Sequence, residues 1–374
     1  MKKTLVLSAA VMMLAGACIF AKESTLIDFT MLDADMNIKS QDGKQEFPQN
    51  KRTIMDYGVA AGATFDQEQK DLMRTSLYMG EWEVVLNNSA RNVKSLADST
   101  VVAAPVRDSA KVPFAGKKVM GVHVVFPAMA VNSNAKIVPP FDIPAYEPLS
   151  AADDNGNRQP QTDEQKASGR TLFEADDENS AGYGLVKNVG TLKSIAVTTM
   201  GMNFPHGLYV MLTDTDNVTR RYFMGYLGFD GWKTLTWNNP DYISEVRTRE
   251  IRVYPIYPRG LPFVKFAGFQ ITRDAGNVGN DFVGYFKDVK VIYDKAELTT
   301  ERDIADEDLW GIVTKKESAR QNAEMSRFGD KQVNRYLEKE KMATEEQFTS
   351  SLDTTANAQS SGSSNAAATA APAK

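Results

Sequence analysis

The sequence predicts a mainly β protein: an antiparallel, jelly-roll-like β-sandwich followed by a C-terminal helical extension and a disordered tail. Three observations carry this expectation. Between residues 25 and 293, short runs rich in β-branched and aromatic residues recur, separated by Gly, Asn, Asp and Pro. No helix-length apolar period lies between those runs, so antiparallel pairing is expected rather than parallel βαβ units. After Tyr293 the pattern becomes acid-rich and helical, and it ends in a stretch of small polar residues without an aromatic ring.

In chain order, Lys2 and Lys3 precede a mostly apolar run from Leu5 to Ile19, with Lys22, Glu23 and Ser24 close behind. The run is too short to cross a bilayer comfortably and none like it follows. Residues 1–21 therefore read as an export signal, and no membrane span is expected. Ala21 satisfies the small-residue rule for cleavage. Ala15-Gly16-Ala17 offers a cut after Ala17 instead, and Cys18 offers a third outcome, lipidation, although the large apolar residue usual three positions before such a cysteine is missing.

Residues 22–298 read as the sandwich. Its N-terminal strands are expected at 25–31, 81–86 and 118–126, where Val119, Gly121, His123 and Val125 share a face. The clearest series follows at 192–198, 208–213, 219–227, 232–237, 251–254, 263–271 and 285–293, and the first strand is expected to pair beside the last. Within 232–237, Trp232, Thr234 and Thr236 face opposite to Lys233, Leu235 and Trp237. Asp214-Thr215-Asp216-Asn217 and Gly228-Phe229-Asp230-Gly231 read as hairpin-like connections. Residues 128–181 carry Pro139, Pro140, Pro144 and Pro148, then the polar run from Asp153 to Asn157, and read as a long loop excursion.

Residues 299–352 read as helical. Thr299 or Thr300 can cap, and Glu301, Asp303, Asp306, Glu307 and Asp308 crowd the first turns, where the helix dipole favours acids. Gly329 divides this from a second segment on which Val333, Tyr336, Leu337 and Glu340 trace a narrow face. Residues 353–374 bury too little apolar area to fold and read as a disordered tail.

Composition excludes several function classes. Of 374 residues, 42% are apolar and 24% charged, which is the balance of a folded protein. The 43 Lys and Arg against 48 Asp and Glu give −5, and losing Lys2 and Lys3 with the signal gives −7. Without a basic surplus there is no electrostatic footprint for nucleic acid. Two histidines and one cysteine leave too few ligands for zinc, haem, iron–sulfur or a disulfide scaffold, so no cofactor and no metal are expected.

No catalytic residue is assigned. His123 lies in an alternating strand and His206 follows Pro205 in a turn, and neither has a motif partner. Asp214-x-Asp216 reads as a hairpin turn, and the run from Asp153 to Asn157 lacks the bidentate acid of a calcium loop. A hydrolase would need two carboxylates and no motif, for which Glu81, Glu83, Glu245 and Glu250 are the donors at hand; as surface glutamates they read first as solvated strand-edge acids. Trp232, Trp237 and Tyr226, with Tyr222, are the aromatics open to interaction. They support an alternative function, an exported jelly-roll carbohydrate-binding module, although alternation sends about half of them into the core.

Several segments carry a more specific likeness. The opening Thr25-Leu26-Ile27-Asp28-Phe29, the stretch Asn203-Phe204-Pro205-His206-Gly207-Leu208-Tyr209-Val210, the tryptophan segment from Gly228 to Pro240, and Gly284-Tyr285-Phe286-Lys287-Asp288-Val289-Lys290-Val291-Ile292-Tyr293-Asp294 together resemble the spirochaete periplasmic flagellar filament outer-layer (sheath) proteins. The resemblance spans nearly the whole chain. It implies a coat subunit around a flagellin core in the periplasm, one that affects filament stiffness, shape and motility and has no enzymatic activity. It also implies self-association and contact with flagellin core proteins. A β-sandwich suits that role, because unprotected strand edges and flat faces can meet neighbours, and a heterologous contact that does not close builds a helical array. The excursion at 128–181 and the helical region after residue 300 are the expected contact segments. Removing residues 360–374 should leave the far-ultraviolet circular dichroism spectrum of the body unchanged, since nothing there can pack.

Overall fold

The computed structural model describes residues 21–32, 53–55, 57, 61–129, 132–151, 159–175, 182–242, 262–277, 281–296, 306–312 and 332–342, with a few isolated helical positions between 315 and 330. The signal region with Ala17 and Cys18, the strand expected at 251–254 and the tail at 353–374 lie outside the described residues.

Fourteen strands are present among the described residues, in chain order β1 Lys22–Asp28, β2 Ile54–Met55, β3 Thr75–Ser76, β4 Glu83–Leu86, β5 Thr100–Pro105, β6 Lys118–Val125 and β7 Ser133–Val138. They continue with β8 Leu185–Lys187, β9 Val189–Met202, β10 Gly207–Asp214, β11 Thr219–Tyr226, β12 Asp230–Asn238, β13 Phe263–Arg273 and β14 Asp281–Lys295. Twelve of them form two six-stranded antiparallel sheets. Sheet I runs β12-β9-β14-β6-β5, with β1 also paired to β14; sheet II runs β11-β10-β13-β7-β4, with β8 also paired to β13. β2 and β3 form a separate two-stranded ribbon.

Both sheets are built the same way around one long strand. In sheet I, residues 281–286 of β14 pair with β6 and residues 288–293 with β1, end to end along one flank, while β9 takes the other. In sheet II, residues 263–265 of β13 pair with β8 and residues 269–273 with β7, while β10 takes the other flank. The pairing of β1 with β14 is the one expected between the first and last strands.

The period of β14 explains how it serves two partners. Phe282 and Phe286 face the core in its first half and Val289, Val291 and Tyr293 in its second. The parity changes at the register shift between Phe286 and Asp288, so one extra residue keeps both apolar sets inward. β13 has its own shift, opposite Met211 and Leu212, at Gly268. Gly268 adopts φ +128°, and a Cβ there would collide with the Ile137 carbonyl oxygen of β7. Only glycine fits this close approach.

The core lies between the two long strands. Phe269 of β13 stacks on Phe286 of β14 with ring centroids 4.4 Å apart and planes at 21°. Phe29 follows β1 in a short 3-10 turn capped by the Asp28 side chain. It meets Trp82 edge-on at 5.5 Å and Phe266 at 6.2 Å. The Trp82 indole donates its N–H to the Leu77 carbonyl at 2.9 Å, which satisfies the polar atom of a fully packed ring.

Three expectations from the sequence are corrected. Residues 128–181 are not simply a loop excursion. They contain β7, an interior strand of sheet II, and they supply Phe141, Ile143, Leu172 and Phe173 to the core. β7 escapes a pattern search because its inward residues are Ser133, Ala135 and Ile137, of which only the last is a large apolar residue. The segment Gly228 to Gly231 is not a hairpin: it carries the chain from β11 at the edge of sheet II to β12 at the edge of sheet I, where β12 pairs with β9. On the C-terminal helix of residues 332–342, Val333 and Tyr336 pack on the core, whereas Leu337 is exposed. The rest of the docking is polar. Gln332 and Arg335 donate to the Pro140 carbonyl at 2.8 and 2.5 Å, and Arg335 pairs with Glu83 at 2.6 Å.

Two substitutions separate the core from the faces. Phe269→Ala should cost about 3–5 kcal/mol. Trp232→Ala, which removes a ring from an outer face, should cost about half of that or less. Urea unfolding midpoints of the two variants test the ranking.

Candidate functional site

Register, rather than sequence proximity, assembles the outer faces. On sheet I, Trp232 of β12 lies opposite Met200 of β9, Met200 opposite Tyr285 of β14, Tyr285 opposite Gly121 of β6, and Gly121 opposite Val102 of β5. Directly paired residues share a face, so these five form one row across the sheet. Phe114, from the loop between β5 and β6, packs edge-on against Trp232 at 4.7 Å. Trp232, Met200 and Tyr285 of this row line an apolar cleft of about 520 Å³ together with Ala104, Val106 and Val119.

Sheet II carries a different outer surface. Tyr209 of β10 and Phe223 of β11 pair directly, with rings 5.0 Å apart, and Tyr226 stands edge-on to Phe223 at 5.3 Å. The Arg221 guanidinium lies 6.0 Å over the Tyr209 ring and donates to Gln270 Oε1 at 3.4 Å. A second, more polar cleft of about 720 Å³ runs from Met211 and Thr213 past Lys136 to Asp330 and Asn334 of the C-terminal helical region.

The three aromatics singled out from the sequence are therefore not brought together. Trp232 faces outward from sheet I, and Tyr226 is exposed at the end of sheet II. Trp237 points the other way from Trp232, into the seam between β11 and β12, where it meets Tyr222 edge-on at 4.7 Å and packs against the core. Burial there pushes the Tyr222 hydroxyl pKa up. One flat platform holding a sugar ring through both tryptophans is geometrically excluded. Sequence reasoning missed Met200 and Tyr209, because only the pairing register places them beside Trp232 and Phe223, and Phe114, because the β5–β6 loop brings it over Trp232.

The remaining candidates resolve into structural roles. Asp214 closes the β10–β11 hairpin, accepting from the Asp216 and Val218 amides at 3.1 and 3.2 Å, with Asn217 at φ +63° and Arg220 paired to the carboxylate. His123 forms a surface pair with Asp281 at 3.2 Å. Glu83 is engaged by Arg335; Glu245 and Glu250 lie outside the described residues. Among the described residues there is no cluster of three or more His, Cys, Asp or Glu side chains placed to hold a metal ion. No described helix is long and apolar enough to cross a membrane.

His206 is the most perturbed titratable group with a clear cause. Its ring stacks on Phe126 at 5.4 Å and meets Phe282 at 5.0 Å and Phe204 at 5.9 Å. Both ring nitrogens are buried without a hydrogen-bond partner. Burial, reinforced by the positive charge of Arg273 and only partly opposed by Asp274, lowers its pKa to about 4. Arg273 lies over the other aromatic neighbour, Phe126, at 5.6 Å, and donates to the carbonyls of Pro127 and Met129 and to Ser133 Oγ. Burial lowers the arginine's pKa in turn. This cluster fixes the loop before β10 and offers no opening to a substrate.

Comparison with known proteins follows the same direction. A family described as flagellar filament outer layer protein Flaa matches residues 46–302. A flagellar filament outer layer protein of Treponema pallidum (strain Nichols) is 56% identical over 94% of this chain and 97% of its own length. One from Spirochaeta aurantia is 38% identical over 93% of this chain and 95% of its own length. Among solved structures, a carbohydrate-binding module in complex with β-1,4-galactotriose is 10% identical, with a TM-score of 0.25 over 57% of this chain and 90% of its own, an overlap too loose to argue from.

His206 makes stability depend on pH in a defined direction. Its folded pKa of about 4 lies below the unfolded value of 6.5, so between those values the unfolded chain binds a proton that the folded chain refuses. Stability should therefore fall as pH drops from 6.5 towards 4, by at most about 3 kcal/mol from this group. Thermal midpoints of the wild type and His206→Phe at pH 7 and pH 4.5 measure it, and the variant should lose distinctly less.

Proposed function

This chain belongs to the flagellar filament outer layer protein family, and from that premise we propose that it is a structural subunit of the sheath surrounding the flagellin core of a periplasmic flagellar filament. The observation that carries the reading is the near full-length similarity to two such proteins at 56% and 38% identity. The physical features agree with it. The sandwich presents two outer faces bearing apolar and aromatic side chains, including the exposed Val102, Phe223 and Tyr226, which are available for contact with a neighbour. Two long central strands, each paired on both flanks, make a body suited to stiffening a fibre.

The finer parts of the proposal rest on the N-terminal signal pattern and on what the family resemblance implies. Residues 1–21 act as the export signal, cleaved after Ala21, which places the mature chain in the periplasm on the flagellum. Residues 22–298 form the sandwich, 299–352 a helical extension and 353–374 a tail. Copies associate with one another and with flagellin core proteins, and through those contacts the subunit contributes to filament stiffness, shape and motility. No chemical step is assigned to it. The carbohydrate-binding alternative gains no support from the placement of Trp232 and Trp237 on opposite faces of β12.

Isolated core filaments stripped of their outer layer provide the test. Mature chain added at micromolar concentration should sediment with them and thicken them in electron micrographs. A chain that stays in the supernatant and leaves filament width unchanged overturns the reading.

A further inference from the structure

The cleft on the outer face of sheet I has an apolar floor and a basic rim. Its floor is the Trp232, Met200 and Tyr285 row, walled by Ala104, Val106 and Val119, and Phe114 packs against Trp232 to hold that ring in place. Residues 105–118, which connect β5 to β6 above it, contain Arg107, Lys111, Lys117 and Lys118 against the single acid Asp108. Arg107 lines the cleft itself, and it is exposed together with Lys111 and Lys117.

The opposite character appears on the C-terminal region. The chain has four tryptophans; Trp82 is buried, Trp232 and Trp237 are half-buried, and Trp310 alone is exposed, at 60%. Leu309 beside it is 69% exposed. They end the helix Asp306–Trp310, and residues 301–310 carry five acids, Glu301, Asp303, Asp306, Glu307 and Asp308, against Arg302. An adjacent leucine and tryptophan held in water forgo a large burial gain, since an aromatic ring alone buries about 150–250 Å². A cleft of about 520 Å³ has room for both side chains.

We propose that the cleft on sheet I is the socket for Leu309 and Trp310 of a second copy of this chain. The apolar pair fills the space over Met200 and Tyr285, and the acid-rich sequence around the plug complements the cations of the rim. Plug and socket are different surfaces, so the contact is heterologous: each copy offers both, and successive copies extend an open array instead of closing into a dimer. This deepens the sheath reading and rests on it, because it names the lateral contact between coat subunits.

The test uses the full mature chain and two complementary variants. Trp310→Ala removes the plug and leaves the socket; Met200→Glu puts a carboxylate into the socket, where it repels the acidic plug, and leaves the plug. Ala110→Trp, which fills the socket from the rim, replaces Met200→Glu if far-ultraviolet circular dichroism shows that variant to be misfolded. In sedimentation velocity at low salt, the wild type should form a concentration-dependent series of oligomers. Each variant alone should need at least about 10-fold more protein for the same association, the loss expected of a central aromatic anchor. An equimolar mixture of the two variants should stop at pairs, since only one intact plug meets one intact socket.

Unchanged association of Trp310→Ala, absence of pairs in the mixture, or a wild type that stays monomeric would each overturn the proposal. Saturable quenching of Trp232 fluorescence by galacto- or xylo-oligosaccharides, without any effect of Trp310→Ala on association, would assign the cleft to a sugar and overturn it as well. Binding of the same samples to stripped core filaments separates the two readings: a plug variant that binds filaments and still self-associates sinks the socket alone, whereas a wild type that ignores filaments sinks the sheath assignment.

Discussion

The contact between Phe269 and Phe286 is the constraint on which the architecture turns. These rings join the two strands that run the length of their sheets, and each strand supports neighbours on both flanks. Because β13 and β14 each pair with two shorter strands on one side, displacing either would unseat three partners at once. The shifts in register at Gly268 and before Asp288 serve this arrangement. They let one continuous strand present apolar residues inward along both halves. Packing at interior density makes such a centre intolerant of volume change, so the rigid part of the molecule is the part farthest from its surfaces.

Buried charge around this centre is organised rather than incidental. Lys287 is pulled down by burial but raised more by donating to Asp288 and Asp28 at 2.7 and 2.9 Å, and its pKa ends above the ordinary lysine value. That triad fastens the end of β1 to β14. Lys265, 1% exposed on β13, lies 3.6 Å from Asp142 in the segment after β7 and 5.6 Å over the Phe263 ring. Arg273 ties the end of β13 to the chain after β6 through backbone carbonyls. Each cation links a long central strand to a segment distant in sequence. Removing one partner would leave an uncompensated charge in the interior, which costs more than the pair contributes.

Much of the fold was legible in the sequence, and what was not has a common cause. β9 to β12 and the visible parts of β13 and β14 announce themselves because their alternation is long and their inward residues are large. β5, β7 and β8 are missed because each is short and fully buries at most two apolar side chains, and a strand that borrows its burial from neighbours leaves little trace of its own. Gly228-Phe229-Asp230-Gly231 has the same turn chemistry as a hairpin, yet it changes sheets; local residue preference fixes how the backbone bends, not which strand it meets next. The same limit applies to the surfaces. Alternation correctly separated the faces of Trp232 and Trp237, but their neighbours come from strands far away in sequence, and only register supplies them. The tryptophan segment, easy to read in the sequence, divides between the cleft, through Trp232, and the seam with β11, through Trp237.

The pairing of β1 with β14 has a consequence for how the protein is made. The Ser24 and Tyr293 hydroxyls lie 3.4 Å apart although 269 positions separate them along the chain. A nascent polypeptide thus lacks the flank of sheet I until almost its final strand has left the ribosome. Until then, among the described residues, its first strand has only the short bridge of Ile27 to Tyr183 to hold it. A half-finished chain is kept from locking prematurely, because sheet I is joined only when β14 arrives to pair with β1, β6 and β9.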